Sequence, residues 1–205
     1  MERTHLAYGI YVLILSALMG SIVAIPLLSF SQDMRWAYDA FGPTCHQKLS
    51  RSLCVFSEGH WYWIADCTPQ EGEYVSQIAD RESVAVEEGS VVGHKMPVCA
   101  RDFGLYGAML LGALAYPLIR RLDEPTLYPA IYLLLAMVPI GLDGGVQLVS
   151  ELGLLPFVYE SSNLMRILTG GIAGFAASFY AIPLIVGFAM ARNQRGSSGL
   201  GPRRS

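Results

Sequence analysis

Two polar side chains, Asp143 and Gln147, lie inside an apolar run, at about residues 127–149, that is long enough to cross a bilayer. They are four residues apart, so on a helix they project from one face, one turn apart. A carboxylate at membrane depth costs roughly 2.5–3.5 kcal/mol on insertion scales, so a partner or a function must offset that cost. The sequence therefore predicts a site at Asp143, either as a base or ligand group or as half of a structural ion pair with Arg101 or Arg166.

A second group of residues has the chemistry of a metal or redox site. Cys45, His46 and Cys99 carry the sulfur and nitrogen atoms that zinc and copper prefer, and Asp102 is a candidate carboxylate beside them. Paired Cys-x-x-Cys spacing is missing, so a structural disulfide between Cys45 and Cys99 is the competing interpretation. A labile disulfide at this position would instead form a redox couple for a quinone or thiol partner. Zinc or copper are thus the candidate cofactors.

Three arginines, Arg51, Arg101 and Arg166, suit an anionic ligand. A guanidinium makes bidentate contacts with phosphate or carboxylate, and basic pockets between helices bind lipid head groups. The alternative is that the arginines only neutralise nearby carboxylates, and a count of charges does not separate the two. If the site is functional, its catalytic or binding set is predicted to be Asp143, Arg101, Arg166, Gln147 and Asp102.

The composition indicates a membrane protein. Of the 205 residues, 53% are hydrophobic and 15% are charged, against about 25% charged in a typical soluble domain. The 21 glycines suit closely packed transmembrane helices. The formal net charge of −3 and the absence of a basic cluster in the folded part argue against a nucleic-acid partner.

Apolar runs predict four transmembrane helices, at about residues 6–30, 103–119, 127–149 and 165–191. The predicted fold class is an all-α membrane protein, a four-helix bundle with a long extracytoplasmic loop between helices one and two. Its parts are the N-terminus with helix one at 1–31, the cysteine-containing loop at 32–98, helices two to four at 99–191 and a disordered cytoplasmic tail at 192–205. A cleaved signal peptide is the alternative for the first run.

Small residues predict where these helices touch. Gly170, Gly174 and Ser178 follow one another at spacing four on the last helix, which gives a face that another helix can approach closely. Glycines also flank the central carboxylate, at positions 141, 144 and 145.

Basic residues near the helix ends predict the orientation. Arg120 and Arg121 follow the second helix, and the tail after the fourth helix carries four more arginines. This distribution places both termini in the cytoplasm and the loop at 32–98 outside the cell membrane. Cysteines in that loop suit an oxidising exterior, with Cys54–Cys67 as a local disulfide and Cys45–Cys99 as the favoured second pair. On this topology the polar residues singled out above share one layer at the outward face of the membrane. They are Asp143, Gln147, Arg101, Asp102 and Arg166, together with Cys45 and His46.

Four motifs in order resemble a prokaryotic membrane-protein family catalogued as domain of unknown function 2085. The motifs are Cys45-His46-Gln47 with Arg51-Ser52, Cys99-Ala100-Arg101, Leu142-Asp143-Gly144 with Gln147, and Ser162-Asn163 with Arg166. Two features depart from the family pattern. Asp102 stands where many relatives have a second cysteine, and the acidic insert at about 57–95 is longer than usual. The resemblance implies a fold and a site but no established activity.

Two classes of function fit these observations, and the sequence leaves open whether the protein is an enzyme. The first is an enzyme or binding protein for a lipid-embedded or extracytoplasmic small molecule, with a lipid or an anion as ligand. The second is a non-enzymatic membrane component, such as a carrier or an assembly partner of another membrane protein or a second copy, whose polar layer locks the helices. A carrier usually shows a midplane site and internal repeats, and neither is visible.

Overall fold

The computed structural model describes residues 2–43, 49–67, 85–88 and 91–198. The helices are α1 (Glu2–Leu28), α2 (Arg35–Phe41), α3 (Ala100–Ile119), α4 (Ala130–Glu151) and α5 (Asn163–Ser198). The strands are β1 (Ser52–Glu58), β2 (Trp61–Asp66), β3 (Ala85–Glu88) and β4 (Val91–Cys99), and a short 3₁₀ turn at Leu49–Arg51 precedes β1.

Four helices, α1, α3, α4 and α5, are long and apolar enough to cross a membrane. This confirms the four predicted spans, with bounds that differ by a few residues. The fourth span ends at Ala191, as predicted, but helix α5 continues to Ser198 and so into the part of the chain expected to be a disordered tail. The described part of that tail is helical.

Helices α3 and α5 cross with their backbones almost in contact. A Cβ added to Gly174 would lie 2.1 Å from the carbonyl oxygen of Leu105, and one added to Gly170 would lie 2.3 Å from that of Arg101. The hydroxyl of Ser178 donates to the carbonyl oxygen of Met109 at 2.6 Å. The small-residue face of α5 is therefore a helix contact, and only glycine fits where the backbones approach this closely.

The segment between α2 and α3 corrects the all-α prediction, because it contains an antiparallel sheet of order β2-β1-β4-β3. Side chains of β1 alternate between two small cores, with Leu53 and Val55 on one side and Cys54 and Phe56 on the other. Gly59, with φ of +63°, permits the tight turn from β1 to β2. Residues 53–56 form a short continuous apolar run, which fits a strand buried on both faces but does not by itself distinguish a strand from a helix.

The sheet packs against one end of the helix bundle, which we call the sheet end. Leu53, Val55 and two residues of β4 pack with Ile22 of α1 and Ala100 of α3. The disulfide Cys54–Cys67 joins β1 to the end of β2, as predicted. At this end, α3 and α5 begin and α4 finishes, so their terminal residues meet beneath the sheet.

Helix α4 is the least enclosed of the long helices. Gln147 is its only buried residue, and most of its leucines are exposed, as expected for a helix that faces lipid. Hydrogen bonds near both of its ends hold it against α5, from Arg166 to Gln147 and from Tyr180 to the carbonyl oxygen of Pro129.

Candidate functional site

A carboxylate and a guanidinium join α4 to α3 at the sheet end. Asp143 Oδ2 accepts a hydrogen bond from Arg101 Nη2 at 2.5 Å, and Asp143 Oδ1 accepts one from the hydroxyl of Tyr159 at 3.0 Å. The Asp143 side chain is 8% exposed and that of Arg101 is 23% exposed. Of the two partners predicted for Asp143, the structure selects Arg101.

Glycine at position 144 makes room for this ion pair. A Cβ added to Gly144 would lie 3.2 Å from Nη1 of Arg101, so the guanidinium lies directly against the α4 backbone. The glycines around Asp143 suggested the close approach of another backbone. At Gly144 a side chain approaches instead, and a Cβ added to Gly141 or Gly145 meets nothing within 4 Å.

Arg166 forms the buried centre of the layer, with a side chain that is 2% exposed. Its Nη1 donates to Asn163 Oδ1 at 3.0 Å and to the carbonyl oxygen of Ser50 at 3.4 Å, and its Nη2 donates to Gln147 Oε1 at 3.4 Å. A single guanidinium thus ties α5 to α4 and to the turn before β1. Such a satisfied, enclosed cation is typical of a structural role.

Arg51 occupies the rim of the layer. Its Nη2 bonds Glu151 Oε1 at the end of α4, and its Nε lies 3.7 Å from Glu160 Oε1 in the connector before α5. Glu160 Oε1 is also 3.6 Å from Nη2 of Arg166, and Gln147 Nε2 donates to Glu151 Oε1 at 3.1 Å. These contacts join Arg51, Arg166 and Gln147 into one network.

The charges of the layer are nearly balanced. Three cations, Arg51, Arg101 and Arg166, each lie beside a carboxylate of Asp143, Glu151 or Glu160. Tyr159, Glu151 and Glu160 were not predicted from the sequence as members. The spacing of four between Gln147 and Glu151 on α4 was a usable signal for one of them. We call these residues together the polar layer: Arg51, Arg101, Arg166, Asp143, Glu151, Glu160, Tyr159, Gln147 and Asn163.

Asp102 and Cys99 form a separate contact at the start of α3. The Cys99 thiol lies 3.1 Å from Asp102 Oδ2, so Asp102 faces the thiol rather than the arginines. Cys45 and His46 lie outside the described residues, and so does the predicted Cys45–Cys99 disulfide. Within the described ranges there is no group of three or more His, Cys, Asp or Glu side chains that could hold a metal. The zinc or copper site stays a prediction.

Comparison with known proteins confirms the family resemblance over part of the chain. Residues 90–180 match the model of a family described as predicted membrane protein, domain of unknown function 2085. The uncharacterized protein MJ1492 of Methanocaldococcus jannaschii is 42% identical over 94 residues, which is 46% of this chain and 56% of that relative. No solved structure matches. The matched segment contains α3, α4 and the first half of α5, and with them Arg101, Asp143 and Arg166.

Proposed function

We propose that this chain, a membrane protein by the family match of residues 90–180, is a binding protein whose polar layer receives the head group of a lipid-embedded or extracytoplasmic molecule. The observation that carries the proposal is the pairing of Arg101 with Asp143 beside Tyr159, in a layer that remains partly accessible. A carboxylate that accepts from both a cation and a hydroxyl provides donors and acceptors that suit a polar head with both kinds of group.

The arginines divide into two roles by exposure. Arg166, enclosed and fully engaged, holds the helices together. Arg51 and Arg101 are 25% and 23% exposed, so an incoming phosphate or carboxylate can reach them. Guanidinium groups bind such anions through two parallel hydrogen bonds, which gives both affinity and orientation.

An anionic ligand can replace a rim carboxylate, Glu151 or Glu160, at a small cost in free energy. Glu151 and Glu160 are 41% and 52% exposed, and ion pairs of that exposure contribute roughly 0–1 kcal/mol. A phosphate that replaces one of them at Arg51 therefore loses little. At Arg101, the neighbouring Asp143 serves as the acceptor for a hydroxyl or protonated oxygen of the head group.

Two features support an outward orientation of the sheet end. The Cys54–Cys67 disulfide suits an oxidising exterior. Arg120 and Arg121 follow α3 at the opposite end of the bundle, where the excess of basic residues predicts the cytoplasm. On this orientation both termini are cytoplasmic and the polar layer opens to the outside of the cell membrane.

Titration with butyl phosphate tests the head-group site. We expect saturable binding to the purified full chain in phosphatidylcholine nanodiscs, weakened at least tenfold in Arg101→Gln. The matched control is Arg120→Gln, which removes an arginine that bonds Thr126 at the opposite end and should leave binding unchanged. No saturable binding to folded protein contradicts the proposal.

The second candidate function is a helix lock in a non-enzymatic membrane component. It is favoured by one observation, that each arginine of the layer already has a carboxylate beside it. A pure lock predicts that butyl phosphate does not bind, and that variants of the layer affect only the stability of the bundle.

A further inference from the structure

An apolar groove of about 700 Å³ opens between α3, α4 and α5. Six of its twelve lining residues are small, which leaves room between larger apolar side chains: Gly104, Gly107 and Ala108 on α3, Ala136 on α4, and Gly171 and Ala176 on α5. Every residue that lines it is apolar, and all three helices belong to the segments apolar enough to cross a membrane. The groove thus suits a hydrocarbon occupant.

The groove ends where the polar layer begins. Ala108 follows Arg101 by seven residues on α3, and Ala136 precedes Asp143 by seven on α4, so each pair shares a helix face two turns apart. The Arg101–Asp143 ion pair therefore lies above the groove, about 10 Å from these alanines along the helix axes. Phe103 at the upper end of the groove is two residues from Arg101.

We infer that the ligand of the polar layer is a single-chain amphiphile whose hydrocarbon chain lies in this groove and whose anionic head contacts Arg101 and Asp143. This rests on the function proposed above and adds the ligand class. The groove extends from Phe103 to Leu111 on α3, about 12 Å at 1.5 Å per residue. Continuity between an apolar groove and a polar end is the arrangement that an amphiphile needs.

Photolabelling locates the chain directly. The probe is dodecyl phosphate with a diazirine at the end of the chain, incubated with the full-length protein in phosphatidylcholine nanodiscs. We expect label to concentrate on residues 107–111 and 171–176, at least fivefold above the exposed residues Leu184 and Phe188, and to fall at least fivefold in Arg101→Gln.

A variant that fills the groove provides a second, independent test of where the hydrocarbon chain lies. Ala108→Phe is expected to reduce groove labelling at least fivefold and to leave butyl phosphate affinity within twofold of the parent. Leu118→Phe, at a position 87% exposed on the same helix, is the matched control and should change neither. If Ala108→Phe fails to fold, Ala136→Phe fills the groove from the less enclosed helix.

The outcomes separate this inference from the proposed function. Uniform labelling of the lipid-facing surface contradicts the inference that the ligand is a single-chain amphiphile, and so does groove labelling that survives Arg101→Gln. In either case, butyl phosphate binding would still support the head-group site. A change of assembly mass in Ala108→Phe overturns the inference in favour of a second copy in the groove. Failure of butyl phosphate to bind removes the head-group site and the inference together.

Discussion

Helix α5 contacts α3 and α4 in two different ways. Against α3, glycines bring backbone onto backbone, so that Gly174 faces the Leu105 carbonyl with no side chain between them. Against α4 the packing is looser, since Gln147 is the one buried residue of α4, and hydrogen bonds join the two helices near both ends, Arg166 to Gln147 at the sheet end and Tyr180 to the carbonyl oxygen of Pro129 at the other. One contact is fixed by shape and the other by charge and hydrogen bonds.

The difference indicates which part of the bundle can respond to a ligand. Close backbone packing has one arrangement and tolerates no insertion. A polar connection can exchange partners, because an incoming head group offers the same hydrogen bonds as the carboxylate it displaces. Helix α4, with Asp143, Gln147 and Glu151, is therefore the element that we expect ligands to affect, while α3 and α5 form the rigid frame.

The largest effect is expected at the α3–α5 crossing. Gly174→Ala places a Cβ 2.1 Å from a backbone oxygen, so the helices must separate, at a cost of about 3 kcal/mol or more. The measurement is the free energy of unfolding in a denaturing-detergent titration. Gly141→Ala on α4 is the matched control, since its added Cβ meets nothing within 4 Å and should be neutral or slightly stabilising. Equal losses would contradict the contrast between the two contacts.

The next effect is expected at the Arg101–Asp143 ion pair. Arg101→Gln leaves Asp143 partly buried without its cation, and we expect a loss of about 2–4 kcal/mol, towards the low end because Arg101 is partly exposed. The double variant Arg101→Gln with Asp143→Asn removes both charges and should recover at least half of that loss. The same titration measures both variants.

This pair of variants also separates the two candidate functions. A double variant that is stable but no longer binds butyl phosphate shows that the ion pair serves the ligand. A double variant as unstable as the single one would mean that the ion pair itself, rather than an unpaired charge, holds α4 in place.

Sequence patterns predicted the membrane part well. The apolar runs located α1, α3, α4 and α5 because a lipid-facing helix must be apolar over its whole length. The spacing of Gly170 and Gly174 gave the helix contact for a similarly local reason. The Cys54–Cys67 disulfide followed from the short distance between the two cysteines in the sequence.

The sheet and the partners of the polar layer were beyond such patterns. Strand β1 pairs with β4 across a long stretch of sequence, and no local periodicity specifies that pairing. Asp143 pairs with Arg101 while Arg166 bonds Gln147, and no local sequence pattern distinguishes the two arginines as partners of Asp143. Tyr159 enters through the fold of a connector, where a single tyrosine carries no signal of its contact.

A smaller effect is expected when the hydroxyl that faces Asp143 is removed. Tyr159→Phe deletes one hydrogen bond to a carboxylate, for which about 1–2 kcal/mol is typical. Because the ion pair with Arg101 remains, the loss should be smaller than that of Arg101→Gln. Tyr128→Phe at the opposite end of the bundle is the control. A loss as large as that of Arg101→Gln would mean that Tyr159, and not the ion pair, is the main attachment of α4.

The smallest effect is expected in the sheet-end structure outside the spans, where Tyr38 of α2 donates to the carbonyl oxygen of Lys95 at 2.6 Å. Tyr38→Phe should cost about 1 kcal/mol at neutral pH.

Burial raises the pKa of Tyr38 from 10.0 to about 12, so the folded state favours the neutral phenol. The stabilisation by Tyr38 is therefore full below pH 10 and is lost as the pH rises through 12. The stability difference between parent and Tyr38→Phe, measured by thermal unfolding from pH 8 to 12, should be constant to pH 10 and then shrink. A difference that stays constant to pH 12 would contradict an enclosed Tyr38 and, with it, a firm contact between α2 and the sheet.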